Sequence, residues 1–361
     1  MFDPFTGHEA KGPLVNKFQK AFIDKAEFLY YDLIRDYNDF LEKENIPVVK
    51  EPALVENNQY TLENEQLRVE MSTFGAELQS IRNKITGFEY LWHGDKAYWA
   101  RRSPILFPIV GKVWNGRMFY HSREYLLSQH GFARDCEFEA INVLDLNRKF
   151  NYCFSSFNAM AFLLKSNENT NKIYPFDFEL YVVYQLEERS LKVHWVVENK
   201  TDGDIYFQIG AHPAFNYRNF DAEAPIQGYM KFNRSGRLSL TRLECGGYAA
   251  AERADLVVSE SGIAITKETF AGDALVFENQ LNRVALCDKD GEPYVELSFD
   301  APVVGLWSPA KTGYAPFMCI EPWYGRCDKV GYDGDLQDRE WIQKLGSREA
   351  FDVSYDIIIE E

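Results

Sequence analysis

Three side chains in this sequence stand where acid–base chemistry can use them. Glu321 lies in FMCIEPWYG, where Phe317, Met318, Cys319 and Ile320 run up to it and Pro322 and Trp323 close the run. A carboxylate in so apolar a setting is seldom buried without a partner. Desolvation moves its pKa up from about 4.3 toward neutrality, which suits a general base. The plainer alternative is a structural glutamate paired with an arginine. His212 stands in QIGAHPAFNY, directly before Pro213. Strand parity places Tyr206, Gln208, Gly210 and His212 on one face, and the proline cannot extend a ladder, so the chain leaves the sheet there. A titratable ring held at a strand exit suits proton transfer. His130, in LLSQHGFARD, is a weaker signal: Gly131 permits a tight turn beside the ring, and Arg134 follows four residues on. His8, His93, His121 and His194 read as solvated or structural.

Two further places carry groups that orient a ligand. Arg101 and Arg102 in YWARRSPILFPIVGK precede two prolines and a run of Ile, Leu and Phe. An arginine aimed into an aromatic-lined cleft donates two hydrogen bonds to sugar hydroxyls or to an anion. Asp273, in FAGDALVFEN, sits in a loop entering a strand. A carboxylate there takes bidentate hydrogen bonds from a vicinal diol, or serves the turn itself.

The elements that must hold these residues are mostly strands. Leu67, Val69 and Met71 alternate with polar residues, as do Leu191, Val193, Trp195 and Val197, then Ile205, Phe207 and Ile209, and then Val295, Leu297 and Phe299. A period of two marks half-buried strands. Turn signals at TDGD (201–204), DKDGEP (288–293) and SPAKTG (308–313) separate them. The N-terminal segment differs. Phe22, Ala26, Leu29, Leu33, Tyr37 and Phe40 recur at helical spacing between Lys20 and Lys43, until Pro47 stops the pattern. That divides the chain into a helical extension at 1–56 and an all-β domain at 57–361, expected to be a large antiparallel sandwich. The extension is expected to pack on the main domain, or alternatively to serve as a dimer arm or a partner-binding helix.

Composition narrows the function classes. The 361 residues include 39 Lys and Arg against 55 Asp and Glu, a net charge of −16, which disfavours nucleic acid as a partner. No run of about 18 apolar residues predicts a membrane span, and MFDPFTGHEAKGPL has no signal-peptide pattern. Six cysteines without a C-x-x-C pair predict reduced thiols, no zinc site and a cytoplasmic setting. A G-x-G-x-x-G or phosphate-loop pattern is absent, so nucleotide binding has no support.

Eight segments taken together resemble the aldose 1-epimerase family, the galactose mutarotase-like proteins, and most of all its bacterial mutarotase-related branch. They are FGAELQSI (74–81), YLWHGD (90–95), YWARRSPILFPIVGK (98–112), QHGFARD (129–135), YPFDFEL (174–180), IGAHPAFNY (209–217), GDALVFEN (272–279) and IEPWYG (320–325). They follow the family's order across residues 60–358, whereas the first 55 or so residues have no counterpart in a typical member. The resemblance implies a β-supersandwich and interconversion of the anomers of an aldohexose or a hexose phosphate, without metal or cofactor. By position in its motifs, Glu321 looks like the general base, His212 like the general acid, and His130, Arg102 and Asp273 like the substrate-orienting set. Arg102 is preferred over Arg101 because it directly precedes the Ser-Pro of its motif. Trp323 and Phe215 are candidates for an apolar platform under the sugar, with core packing as the alternative. Arg134, with Arg102 and Lys112, would meet a 6-phosphate. Two rival functions remain: a sugar-binding protein without catalysis, and a glycoside hydrolase with Asp273 as its second carboxylate.

Overall fold

The computed structural model of the protein describes residues 54–55, 58–310 and 313–360. The helix expected between Lys20 and Lys43 lies outside the described residues. Those described belong to a compact unit spanning Pro52–Glu361. Among them, no helix is long and apolar enough to cross a membrane.

Two large sheets with antiparallel ladders dominate this unit. One has nine strands, in the order Ile263–Ala264, Tyr229–Phe232, Arg283–Cys287, Pro293–Phe299, Ala350–Ile359, Ser190–Asn199, Phe178–Glu187, Ala159–Lys165 and Glu139–Ile141. The other has eight. Seven run in the order Tyr248–Val258, Gly236–Glu244, Leu275–Glu278, Val303–Trp307, Phe317–Tyr324, Ile209–Ala211 and Ile105–Leu106, and Ala214–Asn216 also pairs with Phe317–Tyr324. Alternation decides what each strand buries. Leu191, Val193, Trp195 and Val197 from the nine-stranded sheet share one core with Leu238, Val304, Leu306, Met318 and Ile320 from the eight-stranded sheet. The expected sandwich is therefore present, with each sheet giving one face to a common interior. Burying each aliphatic side chain there stabilises by about 1.5–3 kcal/mol.

Two details differ from the sequence expectation. Ile205 to Ile209 do not form one strand. Ile205–Phe207 pairs with Gln343–Leu345, while Ile209–Ala211 joins the eight-stranded sheet. The break falls at Gln208, which is fully buried. Its backbone N–H donates to the Pro108 carbonyl (2.8 Å), its Oε1 accepts from the Val110 N–H (3.0 Å) and its Nε2 donates to the Glu340 carbonyl (3.0 Å). Those bonds hold the change of sheet without loss of phase, since Ile205, Phe207, Ile209 and Ala211 all reach the same core. Two short helices also appear, Val143–Phe150 and Glu168–Ile173. Each has an asparagine cap: Asn142 accepts from the Leu144 N–H, and Asn167 forms a reciprocal capping box with Thr170. Val143 and Leu146 of the first cover the outer face of the nine-stranded sheet at Ala161, Leu163, Tyr181 and Val183.

Candidate active site

The strand Phe317–Tyr324 is buried on both faces, and its two faces do different work. Met318 and Ile320 enter the common core. Phe317, Cys319 and Trp323 pack in separate clusters, and by the period of two Glu321 lies with them. A cavity of about 860 Å³ opens on that side. Trp323 reaches it because its neighbours are glycines. A Cβ on Gly305 would stand 2.4 Å from the indole ring, and one on Gly210 would stand 2.6 Å from it. The indole occupies the space that side chains on the two flanking strands would otherwise fill.

Glu321 and His212 meet in the cavity wall. Glu321 is 1% exposed and His212 7%. His212 Nε2 lies 3.2 Å from Glu321 Oε2, and neither Glu321 Oε2 nor His212 Nδ1 has a hydrogen-bond partner. The Trp99 ring stacks on the imidazole at 4.7 Å between centroids, and Trp307 meets it edge-on at 5.7 Å. Burial pushes the Glu321 carboxyl well above its usual range, the Asp273 charge adds to this, and the Trp323 indole opposes it. Burial lowers His212 to about 3, its own backbone opposes that, and the Arg134 and Arg101 charges add to the lowering. Both shifts favour the uncharged forms, a carboxylic acid beside a neutral imidazole.

His130 faces the same cavity, its ring centroid 5.5 Å from that of His212. Its backbone is left-handed, with φ +67°. Its N–H donates to the Gly111 carbonyl (2.7 Å), and its own carbonyl accepts from the Phe107 N–H (3.2 Å). Gly131 must follow it, with φ +71° and the Phe107 carbonyl oxygen only 2.2 Å from where a Cβ would stand. The Gly111 N–H donates to His130 Nδ1 (3.1 Å), which assigns the ring proton to Nε2. The Gln129 side-chain amide lies 3.1 Å from that nitrogen, and with the proton on Nε2 it must turn its oxygen there to accept. Burial lowers the His130 pKa well below normal, and the nearby His212, Arg134, Arg101 and Lys112 reinforce this. His130 is therefore a neutral donor at physiological pH. Asp273 also lines the cavity, at φ +82°, and its Oδ1 accepts from the Ala274 N–H (2.8 Å). It serves its turn and faces the cavity at once.

Arg102 is not brought to this cavity. Its guanidinium donates to the Gln79 carbonyl (2.8 Å) and lines a second cleft of about 240 Å³ with Arg68, Glu70 and Glu89. Arg101, the alternative to it, does not line the cavity either. Arg101 bonds Asp135 (2.7 Å), and its charge is felt at both His130 and His212. The two arginines diverge because their backbone is anchored between them: Glu77 Oε1 accepts from the N–H groups of Arg102 and Ser103 (3.0 Å each). Phe215 is fully buried in the common core and forms no platform. Arg134 and Lys112 do line the cavity. Trp99, Trp307 and Gln129 line it too and were not singled out by sequence. Trp99 stood beside the arginine pair, and Trp307 two residues from Gly305 on an alternating VVGLW strand. Among the described residues, His212, Cys319 and Glu321 form a group whose donor atoms lie close enough to share a metal ion.

The aldose 1-epimerase family model matches residues 58–330, and a second family model, described as Uncharacterised protein PM1201, matches residues 1–83. Protein LacX, in its plasmid form from Lactococcus lactis subsp. lactis, is 30% identical over 308 residues, covering 82% of this chain and 98% of its own. A solved galactose mutarotase related enzyme from Lactobacillus acidophilus shares 32% identity at a TM-score of 0.75, over 84% of this chain and 97% of its own. A galactose mutarotase-like protein from Lactobacillus casei shares 28% at 0.74, over 84% of this chain and the whole of its own.

Proposed function

The chain belongs to the aldose 1-epimerase family, and on that footing we propose that it interconverts the α and β anomers of an aldohexose. The observation that carries the reading is the Glu321–His212 contact at 3.2 Å in the wall of a sugar-sized cavity. Anomer exchange opens the bond between C1 and the ring oxygen. The C1 hydroxyl must lose a proton while the ring oxygen gains one. These two oxygens share one carbon, so the base and the acid must be neighbours.

The mechanism then follows from proton counting. Glu321 as carboxylate takes the hydroxyl proton, and His212 as imidazolium gives one to the ring oxygen. The chain opens to the aldehyde, leaving Glu321 protonated and His212 neutral. Rotation about C1–C2 and the reverse transfers close the other anomer. The two groups hold one proton between them throughout. Burial favours the uncharged distribution, which is the one that accompanies the open chain. The charged distribution that starts the reaction is the minor one in the empty site, and hydrogen bonds from the bound sugar's oxygens are what offset its burial. Each positioned acid or base contributes about 10²–10⁴-fold. The Nε2–H of His130 and the carboxylate of Asp273 orient hydroxyls, and Trp323, Trp99 and Trp307 supply the apolar walls against which a pyranose face packs.

A second reading, a phosphorylated hexose, is favoured by Arg134. Its Nε is buried without a hydrogen-bond partner, and burial with the neighbouring Arg101 charge lowers its pKa to about 10. With Lys112 lining the same cavity, a dianion has two cations to meet. Polarimetry of fresh α-D-galactose and α-D-glucose, with glucose 6-phosphate followed by NMR, tests both readings. Acceleration of any of them supports the epimerase, whereas saturable binding without acceleration leaves a sugar-binding protein. Arg134→Ala is expected to lower kcat/KM about ten-fold or more on the phosphorylated sugar only. An equal loss on free sugars would remove the phosphate reading.

A further inference from the structure

Cys319 has no part in the ring-opening chemistry, yet it is fully buried directly behind the acid–base pair. It lies two residues before Glu321 on one strand, so both side chains leave the same face. It pairs across the ladder with Ala214, two residues after His212. The Cys319 Sγ, a His212 ring nitrogen and a Glu321 oxygen lie within 4.8 Å of one another. We propose that these three side chains bind a zinc ion, which excludes the sugar and so inhibits the enzyme; the inhibition, though not the binding, rests on the epimerase reading above.

The donor set argues for zinc. Thiolate, imidazole and carboxylate are its three usual protein ligands, and three of them with one open position is a common arrangement. Hard cations such as magnesium or calcium would reject the sulfur. Glu321 Oε2 is buried, and its one close polar neighbour is the His212 ring that would share the ion with it. A tetrahedral zinc separates its ligand atoms by about 3.2–3.8 Å given its bond lengths. His212 and Glu321 already stand at that spacing. All three donor atoms lie within 4.8 Å of one another, so the thiol has on the order of 1 Å to close on that spacing. Glu321 and His212 line the cavity and Cys319 lies behind them, so the fourth position faces the cavity. Zinc would occupy the same lone pairs that ring opening needs, and ion and sugar would be mutually exclusive.

The test uses the full chain and two probes. Cobalt(II), titrated into metal-free protein, reports a thiolate ligand through its near-ultraviolet charge-transfer band, whether or not the protein has any activity. The band is expected with wild type, absent with Cys319→Ser, and suppressed by saturating sugar. Cobalt binding without the band, or a band that survives in Cys319→Ser, would overturn the site. Zinc is then added to the anomer-exchange assay. At a hundred-fold excess over its dissociation constant and with subsaturating sugar, it is expected to slow exchange about a hundred-fold. Cys319→Ser is expected to exchange anomers at close to the wild-type rate and to resist zinc. Unchanged exchange in zinc-loaded wild type would overturn the inhibition. Absence of exchange in metal-free protein would instead count against the epimerase reading and leave the cobalt result to decide the site. Wild-type spectroscopy and competition by sugar keep the proposal testable should Cys319→Ser fold poorly.

Discussion

The two clefts handle charge in opposite ways. In the smaller one, around Arg102, charged groups are satisfied where they stand. Glu89 accepts from the Ser80 hydroxyl and from the backbone N–H groups of Ile81 and Leu91, Glu70 accepts from Arg68, and Arg102 donates to a carbonyl. In the larger one, Glu321 Oε2, His212 Nδ1, Trp323 Nε1 and Arg134 Nε are all buried without a hydrogen-bond partner. Native proteins leave few such atoms. That these four line one cavity separates a cleft that can do chemistry from one that holds the surface together.

The largest expected effect comes from removing the charge logic of the larger cleft. Glu321→Gln and His212→Asn should each lower the enzymatic rate of anomer exchange by about 10²–10⁴-fold, read by polarimetry. Because the two share one proton, the double variant should fall little below the worse single one. Next comes the slot that seats Trp323. Gly305→Ala puts a methyl into the indole, which should cost about 1–3 kcal/mol in denaturant unfolding and raise KM for the sugar. A variant as stable as wild type would show that the ring moves freely.

Stability against pH sharpens the contrast further. His212 titrates at about 3 in the folded chain against about 6.5 unfolded, so the unfolded chain takes the proton first as pH falls. Its stabilising contribution is full above pH of about 6.5 and is lost as pH drops from there toward 3. Glu321 has the opposite sign. Its folded pKa is raised, so its contribution is present below about pH 4.3 and lost as pH rises from there. Glu321→Gln should therefore gain Tm over wild type increasingly as pH rises, and His212→Asn increasingly as pH falls below about 6.5. Parallel Tm curves would mean that neither group is buried as described. The smallest effect belongs to the smaller cleft: Arg102→Ala should leave exchange within about two-fold, since a satisfied, half-buried group away from the cavity rarely matters beyond its surroundings.

The contrast was only partly legible in the sequence. Alternation placed Leu191 to Val197 and Val295 to Phe299 on the core, and an apolar run around one carboxylate singled out Glu321, because both are local patterns. The divergence of Arg101 from Arg102 was not local. It depends on Glu77, a distant residue whose carboxylate grips the backbone between them. The aromatic lid over His212 escaped for a similar reason. Trp99 and Trp307 come from segments far apart in the chain, and only the sheet order brings them to one imidazole. Gln208 broke an expected strand because its side chain binds two loops at once, which no period of two encodes.

The central claim is that catalysis resides in the larger cleft and nowhere near the smaller. Exchange of α-D-galactose, or of whichever sugar the wild type turns over best, should be followed with wild type, Glu321→Gln and Arg102→Ala side by side. The account predicts background rates for Glu321→Gln and near wild-type rates for Arg102→Ala. Substantial exchange by Glu321→Gln, or its loss in a folded Arg102→Ala, would contradict it.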